Sequence, residues 1–192
     1  MQLTTTFTLL TSLAASVSAA ALAPRDTSGI FSLLALHPNL PFNGQLVTAS
    51  KSGLWLLVPP DQRDAQCYGR APPNLPAVFT HDGDEVRLYG EGFDRQLLVV
   101  NTSADRQDNL KYFSEPVTNT DWQVGGWTES TTEPLLFQGN SWAACSQPDG
   151  TWKVGVSLGN DDNEECVDIT IYPVDALAPV PCRYSQEQES AE

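Results

Sequence analysis

The stretch WAACSQPDGTWKVGV, residues 142–156, decides the fold class of this chain. Two short apolar runs stand on either side of Asp149-Gly150. This dipeptide favours a tight hairpin turn, because glycine accepts the positive φ that such turns demand. The stretch therefore predicts a pair of antiparallel β-strands.

The same pattern extends outward in both directions from this hairpin. Short apolar or alternating runs recur at close spacing, each bounded by Gly, Pro, Asn, Asp or Ser, which is typical of many short strands joined by hairpins. A second Asp-Gly turn lies at Asp82-Gly83, and no window after the first twenty residues has a sustained helical period. The predicted strands are residues 30–36, 45–49, 54–58, 77–80, 85–89, 96–100, 111–113, 122–124, 135–137, 142–145, 152–156 and 167–171.

About a dozen strands predict an all-β single domain. A closed barrel and a two-sheet sandwich both limit the exposed strand edges that invite aggregation. We favour a β-trefoil-like barrel, because twelve strands divide into three comparable blocks near Ala77 and Trp122. A β-sandwich is the alternative. A chain of 192 residues has room for one such domain, at roughly 100–200 residues per domain.

The N-terminal segment differs from the rest of the chain. A short apolar stretch is followed by small residues, with Val17 and Ala19 at the −3 and −1 positions of a signal-peptidase site. We predict a signal peptide at residues 1–19, a short leader at 20–28, the all-β domain at 29–185 and a disordered acidic tail at 186–192. The protein is therefore expected to be secreted.

Secretion determines how the four cysteines are interpreted. In an oxidising compartment an even number normally forms disulfides, and none of these cysteines has zinc-ligand or redox-motif spacing. Four cysteines allow three pairings. We favour Cys145 with Cys166, which closes a local loop, and Cys67 with Cys182, which ties the first half of the domain to its end.

The charge balance excludes some partners. The chain has 24 Asp+Glu against 10 Lys+Arg, a net charge of −14. Nothing in it neutralises phosphates, the main source of affinity in nucleic-acid complexes, and the charge opposes adsorption to anionic lipid. We expect a monomer that contacts neither nucleic acid nor membrane. Ionic attachment to a cationic polymer such as deacetylated chitin is compatible with this charge.

A set of ordered features resembles a known family. The order and spacing of the motifs, together with the four cysteines, are similar to the phialide-type cell wall proteins of filamentous fungi, the phiA-like family, from about Gly29 to Ser185. The resemblance implies a small secreted protein of the fungal wall, linked to spore-bearing cell development, with wall polysaccharide or wall proteins as partners. It supplies no catalytic residues. The motifs are GLWL (53–56), Cys67, DG (82–83), VRLY (86–89), QLLV (96–99), GW (126–127), LFQG (136–139), AC (144–145), DGTWKV (149–154), GN (159–160), Cys166 and PCRYS (181–185).

We predict no catalytic, cofactor or metal-binding residue. The two histidines, His37 and His81, are expected in solvated turns rather than in a Ser/His/Asp triad. The carboxylates of Asp82, Asp84 and Glu85 are adjacent in a predicted hairpin, unlike the facing pair of a glycosidase. The acidic run at 161–165 lacks the spacing of a calcium loop.

Two binding features remain. Trp122 and Trp127 flank Gly125-Gly126, and we consider them as candidate glycan contacts, whereas Trp55 and Trp152 lie in apolar runs and are expected in the core. A carbohydrate-binding, lectin-like module is therefore the alternative function. Asn101 begins the single Asn-x-Ser/Thr sequence of the chain, after a predicted strand, and is a candidate glycosylation site in an exposed turn.

Overall fold

A computed structural model of the protein describes residues 29–63, 65–69, 75–128, 132–159 and 165–186. Within these residues the chain forms thirteen strands and one 3-10 helical turn at Pro60–Gln62. No helix in these ranges has the length and apolarity needed to cross a membrane. The strands are β1 (Ile30–Leu36), β2 (Gln45–Leu46), β3 (Thr48–Ser50), β4 (Gly53–Leu56), β5 (Gln66–Cys67), β6 (Val78–Asp82), β7 (Glu85–Leu88), β8 (Gln96–Val100), β9 (Leu110–Ser114), β10 (Trp142–Ser146), β11 (Trp152–Val156), β12 (Cys166–Asp175) and β13 (Cys182–Arg183).

Strand β12 links the two halves of the main sheet. Its first residues pair with β10 and its later residues pair with β1, both antiparallel. The strand order is β3-β4-β11-β10-β12-β1-β6-β7-β8-β9, with β2 beside β1, while β5 and β13 form a separate two-stranded sheet. One long strand thus carries the chain from one layer into the other.

The all-β class predicted from the sequence is confirmed, but the β-trefoil barrel is not supported. The sheet formed by the described residues does not close, because β3 and β9 end its path. The predicted strands at 122–124 and 135–137 form only isolated bridges, so the three-block division is not confirmed there. The two-sheet sandwich, our alternative, is compatible with the observed pairing.

The core lies between the two layers. Strand β8 is buried at all five positions, as the continuous apolar run predicts for a central strand. Large side chains fill the interior, and the buried Trp142 indole donates its N–H to the Leu135 carbonyl at 2.5 Å. The largest fully buried aromatic side chains are Trp142, Tyr112, Phe42, Phe79 and Phe137.

Hydrogen bonds outside the strand ladders connect β9 and the loop before it to the β3–β4 turn and to β11. The Tyr112 amide of β9 donates to the Ser52 carbonyl, 3.0 Å away, between β3 and β4. The buried Asn109 side chain donates to the Val156 carbonyl at 2.7 Å and accepts from the Val156 amide at 2.9 Å. Asn109 therefore acts as a strand partner for the last residue of β11.

Tyr184, near the end of the described chain, is hydrogen-bonded to a core strand and buried. The Gln96 side chain donates to the Tyr184 carbonyl and accepts from the Tyr184 amide, at 2.8 and 2.9 Å. Burial raises the pKa of Tyr184 to about 12, and the Val78 amide donates to its hydroxyl oxygen at 3.3 Å. The neutral phenol is thus part of the packed interior.

Two disulfides brace the fold. Cys145 and Cys166 lie opposite each other on β10 and β12, and Cys67 and Cys182 lie opposite each other on β5 and β13. This is the pairing that the sequence analysis favoured. The bridges close loops of 21 and 115 residues, respectively.

The terminal predictions fall outside the described residues. Outside them lie the signal peptide at 1–19, the leader at 20–28 and, apart from Gln186, the tail at 186–192. Residues 161–164 of the acidic run also lie outside the described residues. These boundaries remain predictions.

Candidate functional site

Trp127, one of the two candidate glycan contacts, is buried. Its side chain is only 3% exposed, and its ring centroid lies 5.1 Å from both the Phe137 and the Trp142 centroids. The backbone turns it inward, because the Trp127 amide donates to the Asp84 carbonyl and the residue bridges to Phe137. Of the two possibilities that the flanking glycines leave open, exposure and packing inside, the structure shows the second for Trp127.

Trp122 is half-buried. Its ring packs edge-on against Phe113 at a centroid distance of 5.3 Å, and Lys111 Nζ lies 5.6 Å from its centroid. Trp122 thus keeps some accessible surface, but it lines neither of the two clefts described below.

Trp55 lines a cleft that the sequence analysis did not predict. The Trp55 cleft, as we call it, lies beside β4, between the β3–β4 turn, the β10–β11 turn and the segment that follows β4. Its volume is about 370 Å³, toward the lower end of the ~300–1,000 Å³ typical of small-molecule sites. The lining residues are Ser50, Lys51, Trp55, Val58, Asp61, Gln62, Arg63, Asp149 and Thr151.

The local sequence turns the Trp55 indole outward and fixes it. Leu54 and Leu56 are fully buried, so the residue between them faces the opposite side of the strand. The indole N–H donates to the Ser50 carbonyl at 2.9 Å. A Cβ at Gly53 would lie 2.9 Å from the same nitrogen, so glycine is needed there. The sequence analysis had placed Trp55 in the core.

The β10–β11 turn presents an ordered carboxylate. One oxygen of Asp149 accepts from the Thr151 hydroxyl at 2.7 Å and from the Thr151 amide at 2.9 Å. These bonds, with a smaller contribution from the charge of Lys51, hold the pKa of Asp149 below the ordinary carboxyl value. Asp149 is therefore an anion well into mild acid.

Arg63 closes the third side of the cleft. Its Nε and Nη2 donate to the Val58 carbonyl at 3.2 and 3.0 Å, which fixes the guanidinium beside β4. Burial lowers the pKa of Arg63, but arginine remains a cation at any physiological pH. The cleft therefore has two cationic side chains, Arg63 and Lys51, and two anionic ones, Asp61 and Asp149.

The ordering of Asp149 gives a direct prediction. Thr151→Val removes the hydroxyl that contributes most to the lowered pKa, so the Asp149 pKa should rise toward the ordinary carboxyl value. The lowered folded-state pKa stabilises the protein above the ordinary carboxyl range, and this contribution is lost as pH falls through the folded-state value. Lys51, Arg63 and Asp61 also line the cleft near this group.

Carbon-13 NMR titration of the Asp149 carboxyl measures this shift. Thr102→Val, at an exposed position in another turn, serves as the control and should leave the Asp149 pKa in place. An unchanged Asp149 pKa in Thr151→Val would show that the hydroxyl does not set it.

A second cleft of about 300 Å³ lies at the end of β7. Tyr68, 53% exposed, stacks on Phe93 beside it at a centroid distance of 4.6 Å. Its two arginines, Arg87 and Arg95, already pair with Asp82. The charges of both arginines are therefore already paired with a carboxylate.

The residues considered for catalysis have other contacts. His81 lies in β6, not in the turn where the sequence placed it, because β6 extends to Asp82 before the chain reverses. Its ring stacks on Phe31 at 5.1 Å. Asp82 forms ion pairs with arginines, and the Asp84 carboxylate packs against Gly125. Within the described ranges, no group of three His, Cys, Asp or Glu is placed to hold a metal ion.

Asn101 lies immediately after β8, as the sequence predicts. It is half-buried in a turn whose next two residues are exposed. Its side-chain oxygen accepts from the Ser103 amide at 2.9 Å, an Asx turn. Modification of this asparagine remains a prediction.

Comparison with known proteins agrees with the family resemblance seen in the sequence. A model of the family described as PhiA-like secreted protein matches residues 31–185. The chain is 29% identical over 187 residues to a cell wall protein phiA of Aspergillus fumigatus, covering 94% of this chain and 97% of that protein. The cell wall protein phiA of Aspergillus fumigatus strain CBS 144.89 / FGSC A1163 / CEA10 matches with the same identity and coverage. No solved structure matches the chain.

Proposed function

Because the chain belongs to the family of PhiA-like secreted proteins, we propose that it is a non-catalytic structural or interaction protein of the fungal cell wall. The match over residues 31–185 is the observation that carries this proposal, since it spans nearly all of the domain. The name of the Aspergillus relatives supports the same location, and the two disulfides suit an oxidising exterior.

The non-catalytic part of the proposal rests on how the chemically capable side chains are used. The carboxylates at the β6–β7 turn pair with arginines or pack against backbone, and His81 stacks on an aromatic ring. A glycosidase instead needs two carboxyls that face a sugar across an open cleft. We further propose that the protein acts as a monomer, with wall polysaccharide or wall proteins as partners, during phialide or conidium development.

Fractionation of the producing fungus tests this function. We expect the chain, shortened by removal of its leader, in the wall fraction when medium, wall and cell lysate are blotted. Washing the wall with about 0.5 M NaCl tests ionic attachment, because salt screens exposed charges at that strength. Intact, fully reduced protein confined to the lysate would contradict the proposal.

The glycan prediction is tested on the same secreted material. We expect an enzyme that cleaves N-linked glycans to lower the mass of the wild-type chain to that of Asn101→Gln, because Asn101 lies in the single acceptor sequence. Asn119→Gln, in a turn without an acceptor sequence, is the matched control and should keep the glycan. Equal masses for untreated wild type and Asn101→Gln would contradict glycosylation.

A lectin-like role is the second candidate function. The Trp55 cleft favours it, because it combines a partly exposed indole with side chains that form hydrogen bonds. The two tryptophans proposed from the sequence support a lectin-like role less well, since Trp127 is buried and Trp122 lines neither cleft.

A further inference from the structure

We propose that the Trp55 cleft binds a neutral, β-linked pyranose ring of a wall polysaccharide, either glucose or N-acetylglucosamine. This inference rests on the proposed function in one respect: it takes the wall as the protein's surroundings. It names the ligand class and the residues that would hold it, and it moves the candidate contact away from Trp122 and Trp127.

The first support is the fixed aromatic surface. β-Linked glucose and N-acetylglucosamine carry their ring substituents equatorially, so each presents a face of C–H groups that can pack on an indole. The Trp55 ring is held by its hydrogen bond to Ser50 and by its close contact with Gly53. A surface fixed before binding loses little conformational freedom when the ligand arrives, which favours affinity.

The second support is the set of polar side chains around the indole. Sugar hydroxyls both donate and accept, so they need acceptors such as Asp149 and donors such as Arg63. Each of these is already oriented by a neighbour, Thr151 and the Val58 carbonyl, respectively. A carboxylate with one oxygen bound to Thr151 retains acceptor sites on its other oxygen.

The cleft also holds polar groups with unused hydrogen-bonding capacity. Lys51, Asp61 and Gln62 line it, and their side chains make no hydrogen bond to other described residues. In the second cleft, by contrast, Arg87 and Arg95 pair with Asp82. Free donors and acceptors in a concave site are what a hydroxyl-rich ligand requires.

The third support is the charge of the cleft. Two cations and two anions line the cleft, and Lys153, whose Nζ lies 5.6 Å from the Trp55 centroid, is paired with Asp108, so neither a polyanion nor a polycation is favoured there. The rest of the protein has an excess of negative charge, with a net charge of −14 for the whole chain. Attraction of a cationic polymer would therefore be a property of the whole surface, whereas a neutral sugar is suited to the cleft.

NMR titration of the secreted, disulfide-bonded chain tests the assignment. The probes are a β-1,3-glucose hexamer, an N-acetylglucosamine hexamer and a glucosamine hexamer. We expect saturable shifts of the Trp55 indole N–H with at least one neutral hexamer, unchanged in about 0.5 M NaCl because the ligand carries no charge. The two neutral probes distinguish glucan from chitin as the source of the sugar.

Variants separate the cleft from other contacts. Trp55→Ala should weaken binding at least about tenfold, since a buried aromatic contact is typically the largest single contribution at such a site. Asp149→Asn, of the same shape, should weaken it about threefold or more through loss of a charged acceptor. Trp122→Ala is the matched control, because Trp122 is also half-buried with a lysine Nζ 5.6 Å from its centroid, as Lys153 Nζ is from Trp55.

Three results would overturn the inference. The first is that neither neutral hexamer binds saturably. The second is that Trp122→Ala loses binding while Trp55→Ala retains it. The third is that only the glucosamine hexamer binds, and that this binding is sensitive to salt. If Trp55→Ala does not fold, Asp149→Asn decides. If the protein is found in the wall but its cleft binds no sugar, this inference is refuted and the proposed function stands. If the cleft binds sugar but the protein is absent from the wall, the proposed function is refuted and the sugar site stands.

Discussion

Replacing Gly155 with alanine is expected to destabilise the folded protein by about 3 kcal/mol or more, at the upper end of the usual cost of overpacking. A Cβ at this position in β11 would overlap the Arg106 carbonyl oxygen and would lie 2.9 Å from Asn109 Oδ1. The first is a backbone atom, which cannot move aside as the end of a flexible side chain can. The loop also cannot shift freely, because Asn109 is bonded twice to Val156.

Gly83→Ala is the control for this substitution. Gly83 has φ of +64°, and a Cβ there meets nothing within 4 Å, so the cost is limited to the left-handed backbone, about 1 kcal/mol. Guanidinium unfolding of both variants measures the difference in free energy. If Gly155→Ala costs no more than Gly83→Ala, the loop before β9 does not pack on β11 as described.

Removing the Cys67–Cys182 bridge is expected to cost more stability than removing Cys145–Cys166. The two bridges span 115 and 21 residues, and in the chain-entropy model such loops contribute about 5 and about 3 kcal/mol. Since domains of this kind are stable by only about 5–15 kcal/mol, loss of the longer bridge should leave the chain partly unfolded at 37 °C.

The two paired cysteine-to-alanine variants are controls for each other. Alanine avoids placing a new hydroxyl in the core, where Cys145 is fully buried. Guanidinium or thermal unfolding should order the proteins as wild type, then Cys145/Cys166→Ala, then Cys67/Cys182→Ala. The reverse order of the two variants would show that the separate β5–β13 sheet contributes little to the fold.

The strands were predictable where a local signal exists. The runs at 30–36, 96–100 and 152–156 coincide with β1, β8 and β11, because each is apolar and ends at turn residues. Strands β5 and β13 have two residues each and no periodic pattern, and the only sign in the sequence that they lie together is the predicted pairing of Cys67 with Cys182. The open sheet was not predictable, because it depends on β12 changing partners within one continuous run.

The candidate site was less predictable than the fold. Alternation gives a signal for Trp55, since Leu54 and Leu56 on either side are buried, but the continuous apolar run obscures it. The cleft itself brings residues 50–63 together with 149–151, nearly a hundred positions away, and no local pattern encodes that contact. The sequence leaves Trp127 open as a glycan contact because the adjacent glycines are compatible with exposure, while its burial depends on Phe137 and Trp142, which are distant in the sequence.

Co-sedimentation with insoluble β-glucan and chitin tests the central claim most directly, namely that this wall protein holds a polysaccharide without altering it. The account predicts that the disulfide-bonded chain pellets with at least one polymer, that Trp55→Ala stays in the supernatant while Trp122→Ala pellets, and that no soluble sugar is released. Release of soluble sugar, or a wild-type chain that stays in the supernatant with both polymers, would contradict it.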